Sequence, residues 1–189
     1  MNQKDLEYWT KWTRNVKDEY KELSNENIKA DLKRKSRPFS ILCSQIEGDF
    51  AFGTIIRTAN SFGASKVFYY GNKKYDRRSS LGTHIYTEVI YIGSLEQIKE
   101  LKSQYRFVAL ENNLIRKTTL INNYCWHANT LLILGEESCG ITSDVLDMCD
   151  DFVEIPSIGS VRSLNVGCAG SIAMYDFCTK YELKNNVSP

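Results

Sequence analysis

Residues 153–175, VEIPSIGSVRSLNVGCAGSIAMY, hold the transition that decides the fold. An apolar, β-type edge formed by Phe152, Val153 and Ile155 breaks at Pro156, and a Gly/Ser-rich loop follows. Ser163-Leu164-Asn165 then opens directly into a helix built of small residues. Glycine lets backbone approach a ligand closely, and Ser and Asn supply short hydrogen-bonding groups. A loop at the carboxyl end of a strand, feeding a helix, is where α/β proteins hold small ligands. The same pattern also serves as a tight connection with close helix packing, and alone it does not choose between the two.

Upstream of this stretch the periodicity alternates. Strands are predicted near 39–44, 66–70, 88–92, 106–111, 131–134 and 152–155, with helices near 50–62, 94–104, 142–149 and 164–180. Ser94 and Gln97 form a capping box, and Thr142 or Ser143 caps the short helix before the last strand. Alternating strands and helices imply an α/β fold, a mostly parallel sheet covered by helices on both faces. Residues 1–37 read as a helical extension: over 4–35, Leu6, Trp9, Trp12, Val16, Tyr20 and Leu23 make an apolar stripe. A basic cluster of Lys33, Arg34, Lys35 and Arg37 follows, before Pro38. Residues 38–181 form the main domain, and 182–189 are expected to be a flexible tail.

The 189 residues suffice for one sizeable core. Hydrophobic content of 42% and charged content of 25% are those of an ordinary globular domain. No apolar run approaches the about 20 residues needed to span a bilayer. The start, MNQKDLEYWTKW, has acids and no apolar core of a secretory signal. Six cysteines (43, 125, 139, 149, 168, 178) lack CxxC spacing, so they are expected to be reduced core or near-core thiols of a cytoplasmic protein, with no metal site. Net charge is only +1, so any nucleic-acid surface must be a local patch.

Two further segments concentrate chemistry. In GDFAFGTIIRTANSFGAS, residues 48–65, Ile55, Ile56, Ala59 and Phe62 give a buried helix face, with Gly63 as C-cap. Arg57, near the buried edge of that helix, is a salt-bridge partner or a phosphate or carboxylate anchor. In LLILGEESCGIT, residues 131–142, four apolar residues make a buried strand ending at Gly135, followed by Glu136, Glu137 and Gly140. Paired glutamates in a turn are usually solvated, but at the end of a central strand one of them becomes a candidate ligand contact.

The three segments together resemble the motifs of the SpoU/TrmH family of RNA ribose 2′-O-methyltransferases, within the SPOUT superfamily. N-x-G-A-I-x-R-T-A-x-x-x-G is matched at 51–63, L-x-x-G-x-E-x-x-G-[IL] at 132–141, and I-P-M-x-G-x-x-x-S-L-N-V-S-x-A at 155–169. They occur in the family's order, and the resemblance covers residues 38–180. It implies a SPOUT-like fold with a C-terminal deep trefoil knot, S-adenosylmethionine as cofactor, and a homodimer with the site near the interface. By matching position it implies cofactor contacts at Leu110, Gly135, Ile155, Ser163 and Leu164, and catalytic roles for Arg57, Glu137, Ser163 and Asn165. A guanidinium hardly deprotonates, so Arg57 is read as gripping the phosphate beside the target ribose, with Ser163 and Asn165 orienting the 2′-hydroxyl or the donor carboxylate. His84 and His127 are not expected to act as bases. The chain departs from the motifs at Ala51, where the family has Asn, and more mildly at Ser157 and Gly167. An inactive RNA-binding scaffold is the alternative from another class.

RNA contact is expected at Asn72-Lys73-Lys74-Tyr75-Asp76-Arg77-Arg78, where four cations suit a phosphate backbone and Tyr75 a splayed base. Arg116-Lys117 and the cluster at 33–37 are weaker candidates. Residues 1–37 are too few for the separate RNA-binding domain that many family members carry upstream, so none is expected there; the resemblance to the family's small tRNA-acting members implies tRNA over rRNA. The last helix carries Gly167, Ala169, Gly170, Ser171 and Ala173, then Met174, Tyr175, Phe177 and Tyr181, a composition suited to a dimer interface or to internal packing.

Overall fold

A computed structural model describes residues 15–46, 50–112, 116–136 and 139–186. Seven parallel strands form one sheet in the order β3-β2-β1-β6-β4-β7-β5. The strands are β1 (Phe39–Ile46), β2 (Val67–Gly71), β3 (Val89–Ile92), β4 (Arg106–Leu110), β5 (Thr119–Leu120), β6 (Thr130–Leu134) and β7 (Asp151–Glu154). The helices are α1 (Asn25–Arg34), α2 (Phe50–Ser61), α3 (Leu95–Glu100), α4 (Ser143–Leu146) and α5 (Val166–Asn186).

The central strands are apolar on both faces, as a doubly covered parallel sheet requires. Ile41, Val108, Leu132 and Leu134 point to one core with Ile55, Ile56, Met174 and Phe177 of α2 and α5. Their neighbours Leu42, Phe107, Ala109, Leu131 and Ile133 point to a second core with Ile98, Val145 and Leu146 of α3 and α4. This period of two splits single runs such as 131–134 between the two cores. Burial pushes the thiols of Cys43 and Cys149 up, that of Cys149 to about 12, so both stay protonated.

Strand order carries a topological feature. After β4 the chain skips one strand position to form β5, and β7 arrives last to fill the gap, pairing with both. The carboxyl ends of β4, β6 and β7 are thereby adjacent.

Several expectations are corrected. Among the described residues of the N-terminal extension only α1 is an α-helix. Residues 18–20 form a single 3-10 turn, because the Ser24 hydroxyl accepts from the Asn27 amide at 3.2 Å and starts the helix there. Leu6, Trp9 and Trp12 lie outside the described residues. The last helix, expected to end near residue 180, runs on to Asn186, and residues 187–189 of the expected tail lie outside the described residues. β5, two residues long, was not predicted. Three of the expected core thiols, Cys125, Cys139 and Cys168, are exposed.

Candidate active site

Three loops meet at the carboxyl ends of β4, β6 and β7 and enclose a cavity of about 460 Å³. Leu110, Gly135, Ile155, Ser163 and Leu164, drawn from the three loops that follow β4, β6 and β7, line it together. Glu111, Asn112 and Arg162, not expected from the sequence, line it too. A signal for the first two was present, since FVALENN, like LLILGEE, places polar residues at the end of a buried strand.

The 135–141 loop closes on itself. Glu136 and Gly140 exchange backbone hydrogen bonds of 3.1 and 2.8 Å. A Cβ at position 135 would lie 2.3 Å from the Gly140 carbonyl carbon and 2.5 Å from the Ile141 nitrogen, so the motif glycine there is a steric necessity. The Glu136 carboxylate accepts from the Cys139 amide at 3.1 Å and so serves the loop itself. Glu137 lies outside the described residues.

Asn165 caps α5: its Oδ1 accepts from the Gly167 and Cys168 amides at 3.0 and 3.3 Å. Beyond it α5 packs along α2 in parallel rungs four residues apart. Thr54 approaches Gly167, the hydroxyls of Thr58 and Ser171 bond at 3.2 Å, and the rings of Phe62 and Tyr175 lie 6.0 Å apart. Here Gly167, Gly170 and Ala173 are buried, so the small-residue run serves internal packing.

On the other side of α2, Gly53 abuts Ser79 and Ser80, where a Cβ would lie 1.9 Å from Ser79 Oγ, and Asn60 bonds Thr87 at 3.2 Å. By helical spacing Arg57 falls between the Gly53–Asn60 stripe and the Thr54–Thr58 stripe. It is therefore exposed on a ridge between the 78–87 segment and the start of α5, and it does not line the cavity. His84 sits on the 78–87 segment with Nδ1 2.7 Å from Ser80 Oγ; burial and the Arg77 charge lower its pKa. Ala51, in the first turn of α2, is buried at 8% exposed.

The basic loop is more committed than its composition suggested. Tyr75 packs edge-on to Phe52 (4.7 Å) and Tyr69 (5.3 Å), and burial raises its pKa, so it is a core anchor rather than a base-stacking platform. Arg78 is ion-paired with Asp76 at 2.6 Å. Lys73 lies over the Tyr91 ring and Arg77 over Tyr75, both at the surface, and Lys74 is exposed. Of the weaker candidates, Arg116 is ion-paired with Asp147 and bonds the Leu146 carbonyl. Arg34 and Lys35 are ion-paired with Asp31. Among the described residues no helix is long and apolar enough to cross a membrane, and no three His, Cys, Asp or Glu side chains are grouped to hold a metal ion.

A family model described as the SpoU rRNA Methylase family matches residues 38–175, well over half of the chain. The chain belongs to the SpoU rRNA methylase family. The SpoU match spans β1 to the middle of α5 and so contains every loop of the cavity. Among relatives, the tRNA (guanosine(18)-2′-O)-methyltransferase of Aquifex aeolicus is 21% identical over 168 residues, covering 86% of this chain and 79% of that one. The crystal structure of an A. aeolicus TrmH/SpoU tRNA modifying enzyme has the same fold, with a TM-score of 0.74 at 20% identity over 85% of this chain and 84% of that one. The SpoU methyltransferase AviRb from Streptomyces viridochromogenes, solved in complex with AdoMet, gives a TM-score of 0.69 at 22% identity, covering 77% of this chain and 59% of the other.

Proposed function

We propose that this chain transfers a methyl group from S-adenosylmethionine to a ribose 2′-hydroxyl of RNA, with tRNA as the substrate class. One observation carries the reading: the five residues expected at the donor from the family resemblance line a single cavity at the carboxyl ends of adjacent parallel strands. Its volume of about 460 Å³ falls within the roughly 300–1,000 Å³ of small-molecule sites. Apolar Leu110, Ile141, Ile155 and Leu164 suit the faces of an adenine, and the glycine-rich backbone of the loops suits its edge and the ribose. When bound, the cofactor supplies a methyl group already activated on sulfonium.

The protein's own tasks are then alignment and charge stabilisation. Arg57, on its exposed ridge, grips the phosphate beside the target ribose. Ser163 at the cavity wall orients the 2′-hydroxyl or the donor carboxylate. The carboxamide oxygen of Asn165 is engaged as a helix cap, and its role in orienting the same groups is proposed on motif position alone. Glu137 is retained as a catalytic candidate on motif position alone. Lys73, Lys74 and Arg77 hold the RNA backbone, with Arg78 contributing less because of its ion pair.

We also propose a homodimer and a C-terminal trefoil knot. The late insertion of β7 between β4 and β5 supports the knot, since β7 enters between strands whose connection is already laid down. The outer face of α5 supports the dimer: Cys168, Ile172 (42% exposed) and Tyr175 (59%) form a stripe that Leu164 extends. Mass spectrometry of nucleosides after incubating unmodified tRNA with the protein and donor tests the activity. A 2′-O-methylated nucleoside is expected. Binding of donor and RNA without any methylated product would instead identify a scaffold.

A further inference from the structure

The two loops that wall the cavity hang from one dipeptide at the end of β4. The Glu111 carboxylate accepts from the Ile141 amide at 3.1 Å and from the Asn112 amide at 2.9 Å. The Asn112 side-chain amide donates to the Arg162 carbonyl at 2.7 Å. One contact reaches the 135–141 loop, the other the 155–165 loop. The first loop is shaped around the carboxylate: Gly140 has φ +71°, and a Cβ there would lie 2.4 Å from Glu111 Oε2. Neither Glu111 nor Asn112 falls within the three motifs that carry the family resemblance.

We infer that Glu111 and Asn112 form a clasp that presets the two loops for the donor, acting as positioning residues. The reason is energetic. A loop that must be ordered as the ligand arrives gives back part of the affinity its backbone hydrogen bonds supply. A carboxylate accepting two backbone amides is a strong, charge-assisted way to fix such a loop. Asn112 extends the restraint to the second loop, so the spacing between the walls is set from one rigid strand end. The inference rests on reading the cavity as the donor site.

The test uses the full-length protein with Glu111→Ala, Glu111→Gln and Asn112→Ala, and S-adenosylmethionine as probe. Amide hydrogen exchange of the donor-free proteins is followed across residues 135–146, with calorimetric donor affinity alongside. Glu111→Ala is expected to speed exchange at Ile141 and weaken donor binding, each by about tenfold or more, while exchange in β1 and β6 stays at the wild-type rate. Glu111→Gln, which keeps a carbonyl acceptor, recovers most of both losses. Asn112→Ala weakens donor binding without speeding exchange at Ile141. Unchanged exchange and affinity in Glu111→Ala would overturn the clasp, and so would faster exchange throughout the sheet, which is the mark of a merely stabilising residue. A wild-type protein that takes up no donor would overturn the donor-site reading itself, and with it the role assigned to the clasp.

Discussion

Replacing Gly135 by Ala tests how tightly the 135–141 loop is built. The added methyl would sit 2.3 Å from the Gly140 carbonyl carbon and 2.5 Å from the Ile141 nitrogen, both main-chain atoms. Ordinary contact begins at 3.4 Å, so the loop must open by about 1 Å. That displacement breaks the two Glu136–Gly140 backbone bonds, now 2.8 and 3.1 Å. Each contributes about 1 kcal/mol net. Lower chain entropy in the unfolded state returns about 0.4–1 kcal/mol. The net loss is therefore about 1–2 kcal/mol, or a midpoint about 2–8 °C lower for a domain of this size. Differential scanning calorimetry reads the midpoint, and isothermal calorimetry the affinity for S-adenosylmethionine, which should fall as the cavity wall moves. A variant with wild-type midpoint and donor affinity would refute the steric argument.

Other outcomes follow from the same geometry. Arg57→Ala should abolish methyl transfer and leave donor affinity intact by calorimetry, since Arg57 does not line the cavity; joint loss of both would relocate the residue to the donor site. Replacing Lys73, Lys74 and Arg77 by Ala should weaken tRNA binding and flatten the salt dependence by about 0.7–0.9 per lost phosphate contact. Arg78→Ala should do less because Asp76 already holds Arg78, and the reverse ranking in filter-binding titrations would contradict the loop geometry. Ile172→Asp with Tyr175→Asp should convert a dimer near twice the 21.7 kDa chain mass to monomer by light scattering. Phe177→Asp, at a position only 1% exposed, should instead unfold the protein.

The sheet was legible because its central strands repeat apolar residues on both faces. The 131–134 run needs two cores, and Leu132 and Leu131 indeed enter different ones. The cavity was legible by position because Gly135 and Gly140 mark where main chain and side chains come too close for a Cβ. β5 left no trace, since two exposed residues paired to one neighbour show no period. The N-terminal stripe misled at Val16, Tyr20 and Leu23, where apolar spacing suited a helix that the Ser24 cap begins only afterwards. Tyr75 looked exposed because its partners, Phe52 and Tyr69, meet it only in the folded chain. Arg57, read from the sequence as an RNA-side anchor rather than a donor contact, does not line the cavity.

Alkaline hydrolysis distinguishes methylation of the ribose from methylation of a base. Tritium-labelled S-adenosylmethionine is incubated with the protein and unmodified tRNA, and the RNA is then digested in base. Base cleaves RNA through the free 2′-hydroxyl, so methylation there leaves an uncleaved bond. Label is expected in alkali-stable dinucleotides, and is lost on Arg57→Ala. Label confined to mononucleotides would place the methyl on a base and contradict ribose 2′-O-methylation.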